Sequence, residues 1–341
     1  MRSPQPLIIL AGPTASGKTA LACALAERLS AEVISADSQQ CYRGLDVGTA
    51  KPSADERARA PHHLLDIAWP EEQLDAATFI ARADAAIAGV RARGKRVLVA
   101  GGTGLWIRAL VRGLVEAPGR DENFRATFRE RSAREGLPAL YAELQRTDPD
   151  AAARILPADR VRIERALEVH AVSGQTLSSL HRAHQFAEQR FRARVVLLDP
   201  PRPVLWDRIE RRTAAMFARP EGDIAGDPPL AREARWLRAR ALEIPGAAKA
   251  FGIIGYGEAA AALDAGLTDE SLRTASSLVA ARTRQYSKRQ RNWFKKDAPA
   301  LDELHAPLPW SAEGRASGPA AEDASLDALC STLLGWYEGA R

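Results

Sequence analysis

Residues 12–19 read Gly12–Pro13–Thr14–Ala15–Ser16–Gly17–Lys18–Thr19, a GxxxxGK[ST] phosphate loop complete at every position. Its flanks restrict what it can be built into. Leu7–Ile8–Ile9–Leu10–Ala11 before it is an unbroken apolar run, the pattern of a strand buried on both faces of a parallel sheet. Ala20 to Leu29 after it is rich in Ala and Leu and predicts a helix. A chance match in a glycine turn does not bring both flanks with it. Strand, turn and helix N-terminus aim backbone N–H groups and the positive end of a helix at one point, so an anion binds there. Lys18 adds a point charge, and the Thr19 hydroxyl suits a magnesium ion.

Three more apolar runs have the same character: Glu32 to Ala36, Arg96 to Ala100 and Arg194 to Asp199. An Ala-rich helical stretch from about Asp75 to Arg93 leads into the second of these. Strands alternating with helices imply parallel βαβ units. The expected fold class is therefore α/β, a P-loop NTPase-like parallel sheet flanked by helices. Between Gly113 and Arg190 no strand is legible, only helical stretches broken at Gly136, Pro149, Pro157 and Gly174. This reads as an all-helical insertion domain. The expected division is residues 1–112 as the first part of the core and 113–190 as the insertion. Residues 191–297 form its second part, ending in a basic helix, and 298–341 a tail, mostly irregular with a short helix. Pro299 to Pro319, rich in Pro, Ala and Gly, is the irregular part, and a Gly/Pro/Asp loop interrupts the helices at Pro220 to Pro229. A length of 341 residues suits a core with an insertion of this size.

The residues after the later strands narrow the chemistry. A hydrolytic phosphate-loop enzyme expects a magnesium-holding Asp at the end of a later strand. Here Arg96 to Ala100 runs into Gly101–Gly102–Thr103–Gly104, and no guanine-reading Asn-Lys-x-Asp is present. An ordinary ATPase or GTPase switch is thereby disfavoured. Asp37 instead follows the second strand, at the edge where parallel sheets place their active sites. A carboxylate beside a bound diphosphate is well placed as general base for an incoming acceptor. The plainer alternative, a loop Asp capping the next helix, stays open at this point. Cys23, Cys41 and Cys330 are widely spaced with no CxxC pair, giving neither a disulfide framework nor a zinc site, so a reducing cytoplasm is expected. The apolar run at Leu7 to Leu10 is too short for a membrane helix, and no membrane association is expected. His62 and His63 are adjacent on an extended segment, so they point to opposite faces and do not form a metal pair.

The net charge is only +5, so the placement of charge matters more than its sum. From Arg282 to Lys296 there are seven basic residues and no acidic one. Arg284, Lys288, Arg291 and Lys295 fall on one helical face, with Tyr286, Trp293 and Phe294 among them. That pattern fits an RNA backbone track. A solvated face with inward aromatics is the competing interpretation. The insertion adds Arg160, Arg162 and Arg165.

With these pieces in place the chain resembles the tRNA dimethylallyltransferase (tRNA isopentenyltransferase, IPP transferase) family. The matching stretches are GPTASGKT, SADSQQCYRGLDVGTAKP from Ser35 to Pro52 and APHHLLD from Ala60 to Asp66. GGTGLWIRAL from Gly101 to Leu110, RALEV from Arg165 to Val169 and YSKRQRNWF from Tyr286 to Phe294 complete the set. The resemblance implies transfer of dimethylallyl from its diphosphate to the exocyclic amine of the tRNA adenosine just 3′ of the anticodon. It implies that Gly12 to Thr19 hold the donor diphosphate rather than ATP, with Mg2+ on Thr19. Asp37 matches the general base, and Thr103 a residue near the reacting centre. On the tRNA side it implies Asp37, Ser38, Gln39, Gln40, Thr103 and Arg125, then Val161, Arg162, Ile163, Glu164 and Arg165, and finally Lys288, Arg289, Gln290, Arg291 and Lys295. A monomer acting on the anticodon stem-loop is expected. Two features depart from the family. Gly252 and Gly257 stand where many members carry Arg beside the Gly255–Tyr256 pair, and Ala218 to Leu230 is richer in Pro and Asp. The competing readings are a small-molecule kinase using ATP and a non-catalytic RNA-binding protein whose loop senses a nucleotide.

Overall fold

A computed structural model describes residues 6–184, 190–222, 226–297, 303–304 and 319–339. The apolar runs assemble into one parallel sheet of six described strands: β1 (Pro6–Ala11), β2 (Ala31–Ser35), β3 (His62–His63), β4 (Arg96–Gly101), β5 (Arg192–Leu197) and β6 (Glu303–Leu304). Their spatial order is β3-β2-β4-β1-β5-β6. The central β1 shows why its sequence is apolar throughout. Leu7, Ile9 and Ala11 enter the core on one face, while Ile8 and Leu10 enter the core on the other. On the first face Phe79 stacks on Trp106, ring centroids 4.4 Å apart. The second face is covered by the Lys18–Leu29 helix.

The chain divides into two compact units, residues 1–111 with 191–341, and Arg112–Arg190. The second is helical among its described residues, with longer helices at Glu122–Glu135, Leu137–Thr147 and Arg160–Ser173. Asp121 and Asp159 cap two of them by accepting from the N–H groups of Phe124 and Arg162. Phe128, Leu140, Leu144, Ile163 and Leu167 make its core. Inside it lies a carboxylate. Glu168 is fully buried and accepts from Arg125 Nε at 2.7 Å, Arg165 Nη1 at 2.6 Å and the Asp121 N–H at 3.0 Å. Burial alone raises a carboxyl pKa, but these charged partners overcome it and hold Glu168 down to about 2.

The four expected strands appear within two residues of where the apolar runs place them. The two-residue β3 and β6 have no run of their own to announce them. The tail departs from the expectation of a mostly irregular segment with a short helix: Pro319–Gly339 is a helix of 21 residues. Its Leu329, Cys330, Leu333 and Tyr337 fall at helical spacing and bury against the Lys18–Leu29 side of the sheet. Residues 299–302 and 305–318 of the segment expected to be irregular, and 223–225 of the 220–229 loop, lie outside the described residues. Among the described residues no helix is long and apolar enough to cross a membrane.

Candidate active site

Because β2, β4 and β1 are neighbours, the loops after their C-terminal ends meet at one edge of the sheet. These loops carry Asp37, Thr103 and the phosphate loop respectively. Within the phosphate loop Ala15 sits at φ 64, a left-handed conformation that a residue with a Cβ adopts only at a cost. Lys18 Nζ donates to its own loop, to the carbonyls of Gly12 at 2.8 Å and Pro13 at 2.7 Å. Burial pulls its pKa down to about 8; Asp37 opposes that shift and Arg212 adds to it. The buried Ser16 hydroxyl has no hydrogen-bond partner among the described residues. A buried donor of that kind calls for a ligand.

The loop is held from a distance. The Thr14 N–H donates to Gln290 Oε1 at 2.8 Å, and Gln290 Nε2 donates to the Gly102 carbonyl at 3.0 Å. One buried amide thus ties the phosphate loop to the turn after β4. From the Arg202–Phe217 helix, Arg212 Nη2 donates to Thr14 Oγ1 at 2.9 Å, and Arg208 Nη1 reaches the carbonyls of Ala15 at 3.4 Å and Ser16 at 3.3 Å. Burial lowers the pKa of Arg212, with Asp37 pulling the other way. Neither arginine carries a local sequence signal, and sequence reasoning missed both.

Asp37 caps no helix, since the next one begins only at Ala54. Its Oδ1 accepts from the Gln39 N–H at 2.9 Å, closing a turn. Thr103 fastens that turn to β4: its Oγ1 accepts from the Ser38 N–H at 3.0 Å and donates to Ser38 Oγ at 3.2 Å. Two glycines in the matched motifs are required by close approach. A Cβ on Gly104 would lie 2.0 Å from the Trp293 ring, and one on Gly48 would lie 2.4 Å from the Tyr256 ring. Glu233 holds the 46–48 loop by accepting from the N–H groups of Asp46, Val47 and Gly48 at 2.9, 2.7 and 3.2 Å and from the Tyr256 hydroxyl at 2.7 Å.

These elements enclose a cavity of about 230 Å3. Thr14, Asp37, Arg212, Arg282 and Arg289 bring polar and charged groups to its lining, and Met216, Ile253, Ile254 and Val279 apolar ones. A second, tighter cavity of about 30 Å3 lies among Lys18, Thr19, Ser35, Asp37 and Gln40. Hydroxyl and carboxylate oxygens are hard donors, and magnesium asks for one or two such groups besides water and substrate phosphate, so this donor set fits the ion. Among the described residues no cluster of three or more His, Cys, Asp or Glu could hold a metal, so Thr19 and Asp37 carry that fit. His62 and His63 turn apart, His62 Nδ1 to the Ala60 carbonyl and His63 Nε2 to Glu32.

The residues expected on the tRNA side divide sharply. Gln40 spends its amide inside the protein, donating to the Ala50 carbonyl at 3.0 Å and accepting from Ser35 Oγ at 3.4 Å, so it is not free to read a base. Gln290 is buried in the phosphate-loop tie. Arg125 and Arg165 are both bound to Glu168, and Ile163 is fully buried in the core of the insertion. Val161, 73% exposed, and the exposed Arg162 face solvent, and Glu164 is half-buried. Arg284, Lys288, Arg291 and Lys295 do share one face and line a groove of about 530 Å3 with Arg202 and Trp206. Arg284 is paired to Glu210 and Arg291 to Asp199, which leaves Lys288 and Lys295 as the stripe's exposed cations without an ion pair among the described residues.

The geometry has counterparts in known proteins. A tRNA dimethylallyltransferase of Anaeromyxobacter sp. (strain K) is 54% identical over 291 residues, 85% of this chain and 90% of the relative. That of Geobacter metallireducens is 43% identical over 331 residues, 97% of each chain. Among solved structures, the full-length tRNA isopentenylpyrophosphate transferase of Bacillus halodurans superposes with a TM-score of 0.63 at 31% identity, covering 98% of both chains. A eukaryotic dimethylallyltransferase solved acting on tRNA shares the fold, with a TM-score of 0.74 at 23% identity over 94% of this chain and 77% of its own. The model of the family described as IPP transferase matches residues 40–297, three quarters of a sequence that also carries the phosphate loop, Asp37 and Thr103 at one sheet edge, and the chain belongs to that family.

Proposed function

We propose that this chain transfers a dimethylallyl group from dimethylallyl diphosphate to the exocyclic amine of the tRNA adenosine 3′-adjacent to the anticodon, acting as a cytoplasmic monomer. The observation that carries it is a cavity lined both by phosphate-loop and carboxylate groups and by apolar side chains. A diphosphate ester of a short hydrocarbon has that same polarity.

In the reaction the C1–O bond of the allylic donor breaks, and its electron pair leaves on the diphosphate oxygen. A C1–N bond forms to the adenine amine, and the amine proton passes to the Asp37 carboxylate. Lys18, Arg212 and the loop N–H groups stabilise the leaving charge in a site already organised for it. Thr19 and Asp37 would hold a magnesium ion, which would supply neutralisation of diphosphate charge. The adenine reaches Asp37 by leaving its stack, at a cost of roughly a few kcal/mol that is smallest in a loop. Thr103 keeps the Asp37 turn in register with β4, and Gln290 does the same for the phosphate loop. A kinase reading lacks the strand-end Asp, because β4 ends at Gly101 and runs into Thr103. Incubation with tRNA, magnesium and labelled dimethylallyl diphosphate puts label into RNA; RNA-stimulated phosphate release from ATP without such labelling overturns the reading.

The buried lysine gives this activity a pH signature. Lys18 in the free enzyme loses its proton around pH 8, and a bound diphosphate raises that pKa. Donor affinity is therefore full below pH 8 and falls as pH rises from there toward the pKa of the complex, by up to about tenfold per pH unit. The donor KM measured from pH 6 to 10 at saturating tRNA checks this, and a flat profile contradicts it.

A further inference from the structure

Next to the 230 Å3 cavity lies a larger and more open groove of about 630 Å3, bounded by Lys51, Pro52, Ala215 and Pro229. Two residues line both spaces, Arg212 and Met216. Arg212 is fixed at the diphosphate end by its bond to Thr14. Met216 stands one helical turn further along and is only 6% exposed. We propose that Met216 is the chain-length stop of the donor site, the side chain that closes the cavity against the groove and limits the allylic group to five carbons. The inference rests on the function proposed above and adds a specificity-determining residue to it.

Lengths and volumes both support the assignment. Four residues along a helix rise about 6 Å. From C1 of a five-carbon allylic group, three bonds of about 1.5 Å each reach the terminal methyl carbons. A chain anchored beside Arg212 therefore ends at or before Met216. A ten-carbon chain runs seven bonds from C1 along its backbone and collides with it. An apolar cavity of about 150 Å3 suffices for a six-carbon ring, so 230 Å3 holds a five-carbon group and leaves room beside it for part of the diphosphate. Val279, which also lines the cavity, packs in the same core as Met216, Tyr256 and Leu45. Bond-making is unchanged by chain length: C1–O still breaks toward diphosphate, C1–N forms, and the amine proton goes to Asp37. Removing the thioether side chain joins the cavity to the groove without touching those groups.

The test compares dimethylallyl and geranyl diphosphates as donors to tRNA. In a hydrophobic pocket one surplus methylene is discriminated by about 10–200-fold. Met216→Ala is expected to raise kcat/KM for geranyl relative to dimethylallyl diphosphate by about tenfold or more. Met216→Leu, which conserves volume, keeps the parent ratio. A merely structural role lowers both donors equally and leaves the ratio unchanged, which overturns the proposal. If Met216→Ala does not fold, Met216→Val decides between the two: a higher ratio supports the stop and an unchanged one overturns it. Parent protein that labels tRNA from neither donor overturns the underlying function as well, whereas a parent active with dimethylallyl diphosphate and an unmoved ratio overturns the stop alone.

Discussion

Asp37→Asn lowers the rate of prenyl transfer by about 10²–10⁴, the usual effect of losing a general base, while tRNA affinity stays close to the parent's. The substitution is isosteric, and the side-chain oxygen can still accept from the Gln39 N–H, so the turn after β2 survives. What is lost is the carboxylate's negative charge and its capacity to accept a proton. A second consequence separates this outcome from simple misfolding. Asp37 opposes the downward shift of the Lys18 pKa, so its neutralisation lowers that pKa further below about 8. The rise of donor KM then begins at lower pH in the variant than in the parent. Single-turnover rates at saturating donor and tRNA, with donor KM against pH, measure both effects. Turnover near the parent value would reduce Asp37 to a turn-former.

Glu168→Ala destabilises the 112–190 unit by about 3 kcal/mol or more, because it leaves the Arg125 guanidinium, only 17% exposed, without its counter-charge. Arg165 loses the same partner but keeps its bond to the Pro118 carbonyl. Glu168→Gln retains the volume and one acceptor and should cost less. The pH dependence has a definite sign. Glu168 titrates at about 2 in the folded chain against an ordinary 4.5, so its stabilisation is complete above 4.5 and is lost as pH falls toward 2. Amide hydrogen exchange in the Glu122–Glu135 and Arg160–Ser173 helices reads the local free energy. Protection within about 1 kcal/mol of the parent would show that the ion cluster is dispensable.

How much the sequence discloses depends on how local the signal is. The phosphate loop is eight consecutive residues, and β1 is an unbroken apolar run, so both are legible. Asp37 is legible by position alone, as the first polar residue after a strand-like run. Arg208 and Arg212 are not, because they return to the loop nearly 200 residues later on a helix with two other arginines. Gln290 has the look of an RNA contact because basic residues surround it, and the structure corrects that. Its helical phase holds the missing signal: Thr283, Ser287, Gln290 and Phe294 recur at four, three and four, and all are buried. Arg125 and Arg165 pass for surface cations because nothing local marks Glu168 as their shared buried partner.

The hydrogen bond from the Thr14 N–H to Gln290 also bears on how the molecule comes into being. Its two partners are 276 positions apart, one near the beginning of the polypeptide and one at the end of its catalytic core. At about 5–20 residues per second a ribosome needs roughly 15–55 s to make the second after the first. Throughout that interval a nascent chain owns a complete phosphate-loop sequence with no strut to hold its threonine amide in place. The Thr14 amide meets its acceptor only once the Asp269–Asp297 helix has been made and has packed against the sheet edge.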